Sequence, residues 1–176
     1  MLKYKDVVIR NATAADAVIL ETWWNDGTIM AHAGFPNGTG QTAEEIAEKI
    51  RTDADKVHRR MIIELAGNPI GETNYNHLRE GVAEIGIKIC DFSKQNKGYV
   101  KIILSMLILY LFDELGYEKI VLDTNLRNKR AQHVYEQLGF RKVRVRENSW
   151  RNQLGELQSA VDYELTQDEF ISCLSE

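Results

Sequence analysis

The chain has 176 residues, 44% of them hydrophobic and 27% charged, with a formal net charge of −4. That length suits a single unit spanning residues 1–176 that buries roughly 70% of the surface of its unfolded chain. The acidic balance argues against nucleic acid or an anionic membrane as a partner, and Cys90 and Cys173 make neither a disulfide framework nor a metal-ligand cluster.

Met1–Arg10 is charged and strand-like, without the apolar core of a secretion signal. Ile102–Phe112, the most apolar stretch, falls short of the ~20 residues a membrane helix needs. A cytoplasmic protein is the expectation.

In chain order, Asp6–Arg10 reads as a strand. Thr13-x-x-Asp16 then offers a helix cap with an acid at the third helical position. The helix runs to about Trp24 and stops at Asn25-Asp26-Gly27. After the glycine-dense loop Gly34–Gly40, Thr42 caps a second helix from Ala43 to about Ala54. Arg60–Ala66, Pro69–Asn76 and Val82–Cys90 read as an antiparallel meander turning at Gly67-Asn68 and Arg79-Glu80-Gly81. Tyr99–Leu115 is apolar on nearly every side, which predicts a helix in the interior, stopped by Gly116. Glu118–Asp123 reads as a strand, Arg127–Leu138 as a helix, and Arg141–Glu147 and Ser159–Leu165 as a closing strand pair. The product is a mixed α/β sheet.

Two loop-to-helix junctions carry the chemistry. Gln95-Asn96-Lys97-Gly98-Tyr99-Val100 links a strand to the apolar helix, and Asn125-Leu126-Arg127-Asn128-Lys129-Arg130-Ala131 opens the next one. A strand that ends in a glycine turn opening a helix aims free N–H groups and the positive end of the helix dipole at one point, where an anion can bind. Lys97, Lys101, Arg127, Lys129 and Arg130 are candidates to meet its charge.

These segments resemble the GNAT superfamily of N-acetyltransferases, with its pyrophosphate loop Gln/Arg-x-x-Gly-x-Gly/Ala and a later Asn-x-x-Ala helix with a Tyr shortly before Gly-Phe. The matches are Gln95, Gly98, Asn128, Ala131, Tyr135, Gly139 and Phe140, and Ile9–Asp16 resembles the first strand and cap. The likeness is nearest to the Rim-type ribosomal-protein N-terminal acetyltransferases. Val100 departs, standing where the family has Gly or Ala; its branched side chain crowds the approach to the pyrophosphate but leaves its N–H available.

The resemblance implies a largely antiparallel central sheet of about seven strands flanked by helices, with a splayed strand pair at the acyl-CoA site. It implies acetyl-CoA as co-substrate, bound by Gln95, Asn96, Lys97, Gly98, Tyr99 and Val100. Backbone groups of Ile87, Lys88 and Ile89 and the helix residues Asn128 and Ala131 complete that set. From spacing alone Asn128 is equally a helix cap, and Ile87 and Ile89 are equally plain core residues. Tyr135 matches the tyrosine beside the thioester sulfur, which implies a general acid; its bland reading is a core residue.

Acetyl transfer to an amine needs a neutral nucleophile, a polarised carbonyl and a proton for the leaving thiolate. Glu84, on the strand leading to the cofactor, is the candidate base through water, with Glu72 as the alternative. His32 and His77 are lone loop histidines. Cys90 could suggest an acyl-cysteine, but an apolar buried thiol accounts for it better. The first two helices and their loop, with the last two strands, are expected to form the acceptor wall. Adjacent helix positions diverge by about 100°, so one of Trp23 and Trp24 faces the core. Trp24, Asp26 and Glu72 are the acceptor-binding candidates.

The leading functional expectation is direct transfer of acetyl from acetyl-CoA to a primary amine in a ternary complex, the acceptor being a protein N-terminus. The alternatives are a polyamine or aminoglycoside-like amine, or a non-catalytic acyl-CoA-binding module. Arg141–Arg146, followed by Trp150 and Arg151, forms a basic ribbon that would suit nucleic acid or a homodimer interface; its alternation is also that of a half-buried strand.

Overall fold

A computed structural model of the chain describes residues 1–175. Its strands are β1 (Leu2–Tyr4), β2 (Val7–Asn11), β3 (His58–Leu65), β4 (Asn68–Arg79), β5 (Val82–Ile89), β6 (Lys119–Asn125), β7 (Arg141–Arg151) and β8 (Leu157–Thr166). They form one sheet of eight strands in the order β1-β2-β3-β4-β5-β6-β8-β7. The helices are α1 (Ala17–Trp24), α2 (Gly27–Met30), α3 (Ala43–Arg51), α4 (Tyr99–Leu109) and α5 (Lys129–Gln137). No helix among the described residues is long and apolar enough to cross a membrane.

Every strand pairing is antiparallel except β5 with β6, which is parallel and short. Val82, Ala83 and Glu84 pair with Lys119, Ile120 and Val121, and there the register ends. Beyond Glu84 the strands diverge, which is the splay the resemblance implied. Eight strands stand where about seven were expected, because Leu2–Tyr4 adds a short edge to β2. Three residues are too few to show alternation against the charged start of the chain.

The pleat distributes the core over both faces. Val7, Ile9, Met61, Ile63, Ile85 and Ile89 turn to the face covered by α4, where Ile103, Leu104, Leu107 and Ile108 are fully buried. Each such side chain contributes about 1.5–3 kcal/mol on burial. This is why α4 is apolar all round. Ile62 and Cys90 turn to the other face, beneath α1 and α3, with Leu20, Trp23, Ile46 and Ile50.

The helix ends follow their caps. Asp16 accepts from Thr13 N at 2.7 Å and takes a two-pronged ion pair from Arg10 at 2.8 Å, which holds its carboxyl below the usual range. Thr42 and Glu45 form a reciprocal capping box that starts α3. At α4 the last turn widens into a π-helical turn, Tyr110–Glu114. Two elements differ from the sequence reading. Asn25-Asp26-Gly27 ends α1, but Asp26 then caps α2 by accepting from Thr28 N at 2.8 Å. The strand expected to end at Glu147 runs on through a bulge: Asn148 is left-handed at φ 47°, and β7 continues to Arg151.

Buried phenols and a thiol link this core to pH. Burial raises the Tyr75 and Tyr163 hydroxyls and pushes Cys90 up to about 12. A group whose folded pKa lies above its unfolded one contributes stability that is complete below the unfolded value and is lost as pH rises through the folded one. The urea midpoint is therefore expected to hold near neutrality and to fall progressively above about pH 9. A midpoint constant to pH 12 would contradict these burials.

Candidate active site

The splay opens a cavity of about 1350 Å³ between β5, β6 and the N-termini of α4 and α5. Its floor is a bare strand edge. Cys90 N donates to Ile70 O on β4, and Thr73 Oγ1 donates to Gly86 O. Alternation along an antiparallel strand therefore turns the N–H and C=O of Ile87 and Ile89 the other way, toward the gap left by β6. Gln95 Nε2 meets Ile89 O from that side at 3.1 Å.

At one end of the gap lies the α4 N-terminus. Gly98 caps it at φ 80°, preceded by Asn96 at φ 60°, a left-handed geometry that suits Gly and Asn. With no capping side chain, the N–H groups of Tyr99, Val100 and Lys101 lack intrahelical partners and form a concave donor set beside the dipole. Val100 packs partly against the main core while still bordering the cavity, so its methyl groups are accommodated sideways. An elongated ligand with an anionic head and an amide-bearing arm fits this donor set and strand edge.

The basic residues divide. Lys101, Arg127 and Lys129 border the cavity, and so does Lys94; Lys97 is exposed and does not. Arg130 also borders the cavity and braces the loop, donating to Asn96 Oδ1 at 2.7 Å and Gln95 Oε1 at 3.1 Å. Asn128 caps α5 by accepting from Ala131 N at 3.1 Å, as its spacing alone allowed, and both residues border the cavity.

Tyr135 and Glu84 both border the cavity. Tyr135 is 7% exposed, its ring 5.9 Å from Phe140 and 5.7 Å from Tyr163 in edge-on packing. Burial first, and Asp123 second, push its phenol up to about 12. Its hydroxyl has no hydrogen-bond partner among the described residues, yet it borders the cavity and is not sealed. Glu84 stands at the last parallel pair, opposite Val121, and also borders the cavity with a carboxylate that no described residue bonds.

The three acceptor candidates lie elsewhere. Trp24 Nε1 donates to Glu72 Oε1 at 2.8 Å, and Lys88 Nζ reaches the same oxygen at 3.3 Å. Glu72 is thus tied up beneath α1, and Asp26 is an exposed cap; neither borders the cavity, nor does Trp24. Sequence reasoning missed Asn74, whose amide lies over Gly86, and gave Trp150 only a place in the basic ribbon. Both border the cavity, with His32 and Arg146. In that ribbon Arg144 and Arg146 both bind Asp162, and Arg146 also binds Asp123. The register to β4 could have flagged Asn74, because Asn74 pairs with Gly86, two residues from Glu84 on the same strand.

A split parallel pair thus lies beside a helix N-terminus with no capping side chain. A family model described as Acetyltransferase (GNAT) domain matches residues 6–141. The chain belongs to this family: it is an acyltransferase whose co-substrate is acetyl-CoA.

No curated protein matches the sequence. Among solved structures, spermidine N-acetyltransferase from Vibrio cholerae, in complex with CoA and spermine, superposes with a TM-score of 0.83 at 22% identity, covering 94% of this chain and 98% of that one. Ribosomal-protein-S5-alanine acetyltransferase from Vibrio fischeri gives a TM-score of 0.79 at 15% identity, with 96% and 97% covered. A GNAT-family acetyltransferase from Streptococcus pneumoniae gives 0.76 at 19%, with 91% and 99% covered. At these identities the likeness is one of fold.

Proposed function

We propose that the chain acetylates the α-amine of a peptide by direct attack within a ternary complex, and one observation carries this. The splay brings a half-buried, unpaired carboxylate (Glu84) and an unpartnered phenol (Tyr135) to the one cavity that the freed edge of β5 also lines. Acetyl-CoA lies with its pyrophosphate on the Gly98–Lys101 donors and its pantetheine arm along Ile87 and Ile89. Gln95, Asn96 and Arg130 hold the loop, and Lys101, Arg127 and Lys129 meet the phosphates.

The amine lone pair attacks the thioester carbon while a backbone N–H of the β5 edge polarises the oxygen. As the C–S bond breaks, the departing sulfur accepts a hydrogen bond from the Tyr135 hydroxyl and takes its proton from water. Nitrogen gives its proton to Glu84 through water, so one proton passes net from amine to CoA thiol. Cys90 supports direct transfer: a thiol pushed up to about 12 by burial is protonated at neutral pH and is no nucleophile.

Charge favours a peptide terminus over a polyamine. Of the two carboxylates among the described residues that border the cavity, Glu84 and Asp123, the second is held by Arg146. That leaves Glu84 to face an amine, which matches a monocation better than a polycation. An α-amine of pKa about 7.7–8.0 also needs less of its base than a Lys ε-amine near about 10.4.

Calorimetric titration with acetyl-CoA, desulfo-CoA and pantetheine, followed by turnover with an alanine-initiated peptide, spermidine and kanamycin, tests this. Tight binding of the first two ligands, weak binding of pantetheine and turnover of the peptide are expected. Absent acetyl-CoA binding would refute the cofactor seat, and preferential turnover of spermidine would refute the acceptor.

A further inference from the structure

The strand connection opposite the cofactor makes contacts that neither the fold nor the transfer chemistry calls for. Residues 152–156 join β7 to β8 in a self-braced turn: Asn152 Oδ1 accepts from Leu154 N and Glu156 N, both at 3.0 Å. From this rigid tip Gln153, an exposed residue, reaches the loop between α2 and α3. Its backbone N–H donates to Gly34 O at 2.8 Å, its Oε1 accepts from Asn37 N at 2.9 Å, and its Nε2 donates to Gly38 O at 3.0 Å. Both ends of one amide are thus used on a loop more than a hundred residues away in sequence.

The same two segments touch a second time. A Cβ on Gly34 would lie 2.6 Å from Trp150 Cζ3 and 3.1 Å from its Cη2, so the edge of the indole's six-membered ring sits where no side chain fits. Gly34 is also left-handed at φ 94°. Trp150 borders the same cavity as Ile29, His32, Ala33, Asn74 and Glu84. The indole is therefore part of the wall of the cavity that Glu84 also lines. Two contacts define its place: Gly34 behind it, and the Gln153 clamp that holds Gly34 there.

We propose that Gln153 is a positioning residue for the acceptor amine: it locks the α2–α3 loop to the β7–β8 turn, and so fixes Trp150 as the surface on which the arm carrying the amine packs. This rests on the amine-acetylation reading above. The arm it selects is apolar or cationic, since an indole face attracts both. Loosening the clamp displaces the acceptor, leaving the cofactor seat on the far side of the splay untouched.

The experiment measures the full chain with whichever of the alanine-initiated peptide, spermidine or kanamycin turns over best. Gln153→Ala is expected to raise the KM for that amine about tenfold while the KM for acetyl-CoA stays within about twofold. Gln153→Glu, which keeps the acceptor for Asn37 N but loses the donor to Gly38 O, is expected to fall between. Adding Gln153→Ala to Trp150→Ala is expected to raise the amine KM no further, since the clamp acts through the indole.

An unchanged amine KM in Gln153→Ala, equal rises for both substrates, or additivity in the double variant would each overturn the proposal. Amide hydrogen exchange provides an arm independent of turnover: protection at Asn37 is expected in the parent and lost in Gln153→Ala. If the parent acetylates no amine, the acceptor reading has failed; retained Asn37 protection in Gln153→Ala would instead sink the clamp itself.

Discussion

Replacing Tyr135 by phenylalanine is expected to lower kcat about 100-fold while leaving acetyl-CoA affinity within about twofold, the range set by one positioned proton donor. The substitution is unusually clean here. The hydroxyl makes no hydrogen bond to the described residues, so its removal strands no buried partner. The ring keeps its edge-on contacts with Phe140 and Tyr163. The thermal midpoint should therefore not move, and a fall in rate can be assigned to the lost O–H.

With its phenol at about 12, Tyr135 stays protonated through the working range. A thiol has a pKa of about 8.5, so full proton transfer to the thiolate is uphill by more than three units, and hydrogen-bond donation to the developing sulfur anion is the larger part of its role. Steady-state kinetics from pH 6 to 10 with calorimetry for acetyl-CoA would check this. An unchanged kcat would return Tyr135 to the core, and an alkaline limb below pH 10 that vanished in the variant would contradict its burial.

How far the sequence revealed this site depends on how local each signal is. Gly98, Asn128 and Tyr135 all border the cavity, because loop, cap and helix face are short-range features whose spacing survives into the structure. The meander was legible from alternation and from the turns around Gly67 and Gly81. The acceptor end was not. Trp24 and Glu72 are 48 positions apart and satisfy each other; a motif reads each as an available functional group, whereas the pair is closed. Asp26 looked like a substrate carboxylate because a helix of four residues is too short for periodicity to reveal what it caps.

Trp150 shows the converse. Its position past a bulge at Asn148 shifts the register between Arg146 and Trp150, so counting alternation from Arg141 cannot tell which way the indole points. The basic ribbon misled for a related reason. Arg144 and Arg146 converge on Asp162, a residue of the neighbouring strand, so a run that reads as free positive charge is an internal ion-pair network.

Glu84→Gln is expected to lower kcat/KM at pH 7 by about 10- to 100-fold, with the size of the loss set by the amine. Glutamine keeps the shape and polarity of the side chain but cannot take a proton. The half-buried carboxylate bonds no described residue, so the change breaks no ion pair and should leave the thermal midpoint within about 2 °C. At pH 7 an α-amine of pKa about 7.7–8.0 is roughly a tenth neutral, whereas a Lys ε-amine near about 10.4 is neutral in fewer than about one molecule in a thousand. If Glu84 takes the proton before or during attack, its loss costs the ε-amine more. Raising the pH toward the amine's own pKa supplies the neutral form from solution, so the gap between variant and parent should close as pH rises, and sooner for the α-amine. Parallel pH–rate profiles for an alanine-initiated peptide with its lysine blocked, and for an N-terminally blocked peptide carrying one free lysine, measure this. A loss that is the same for both amines and constant from pH 6 to 10 would show that Glu84 only binds the acceptor. The base would then have to be sought in the solvent of the splay rather than on β5.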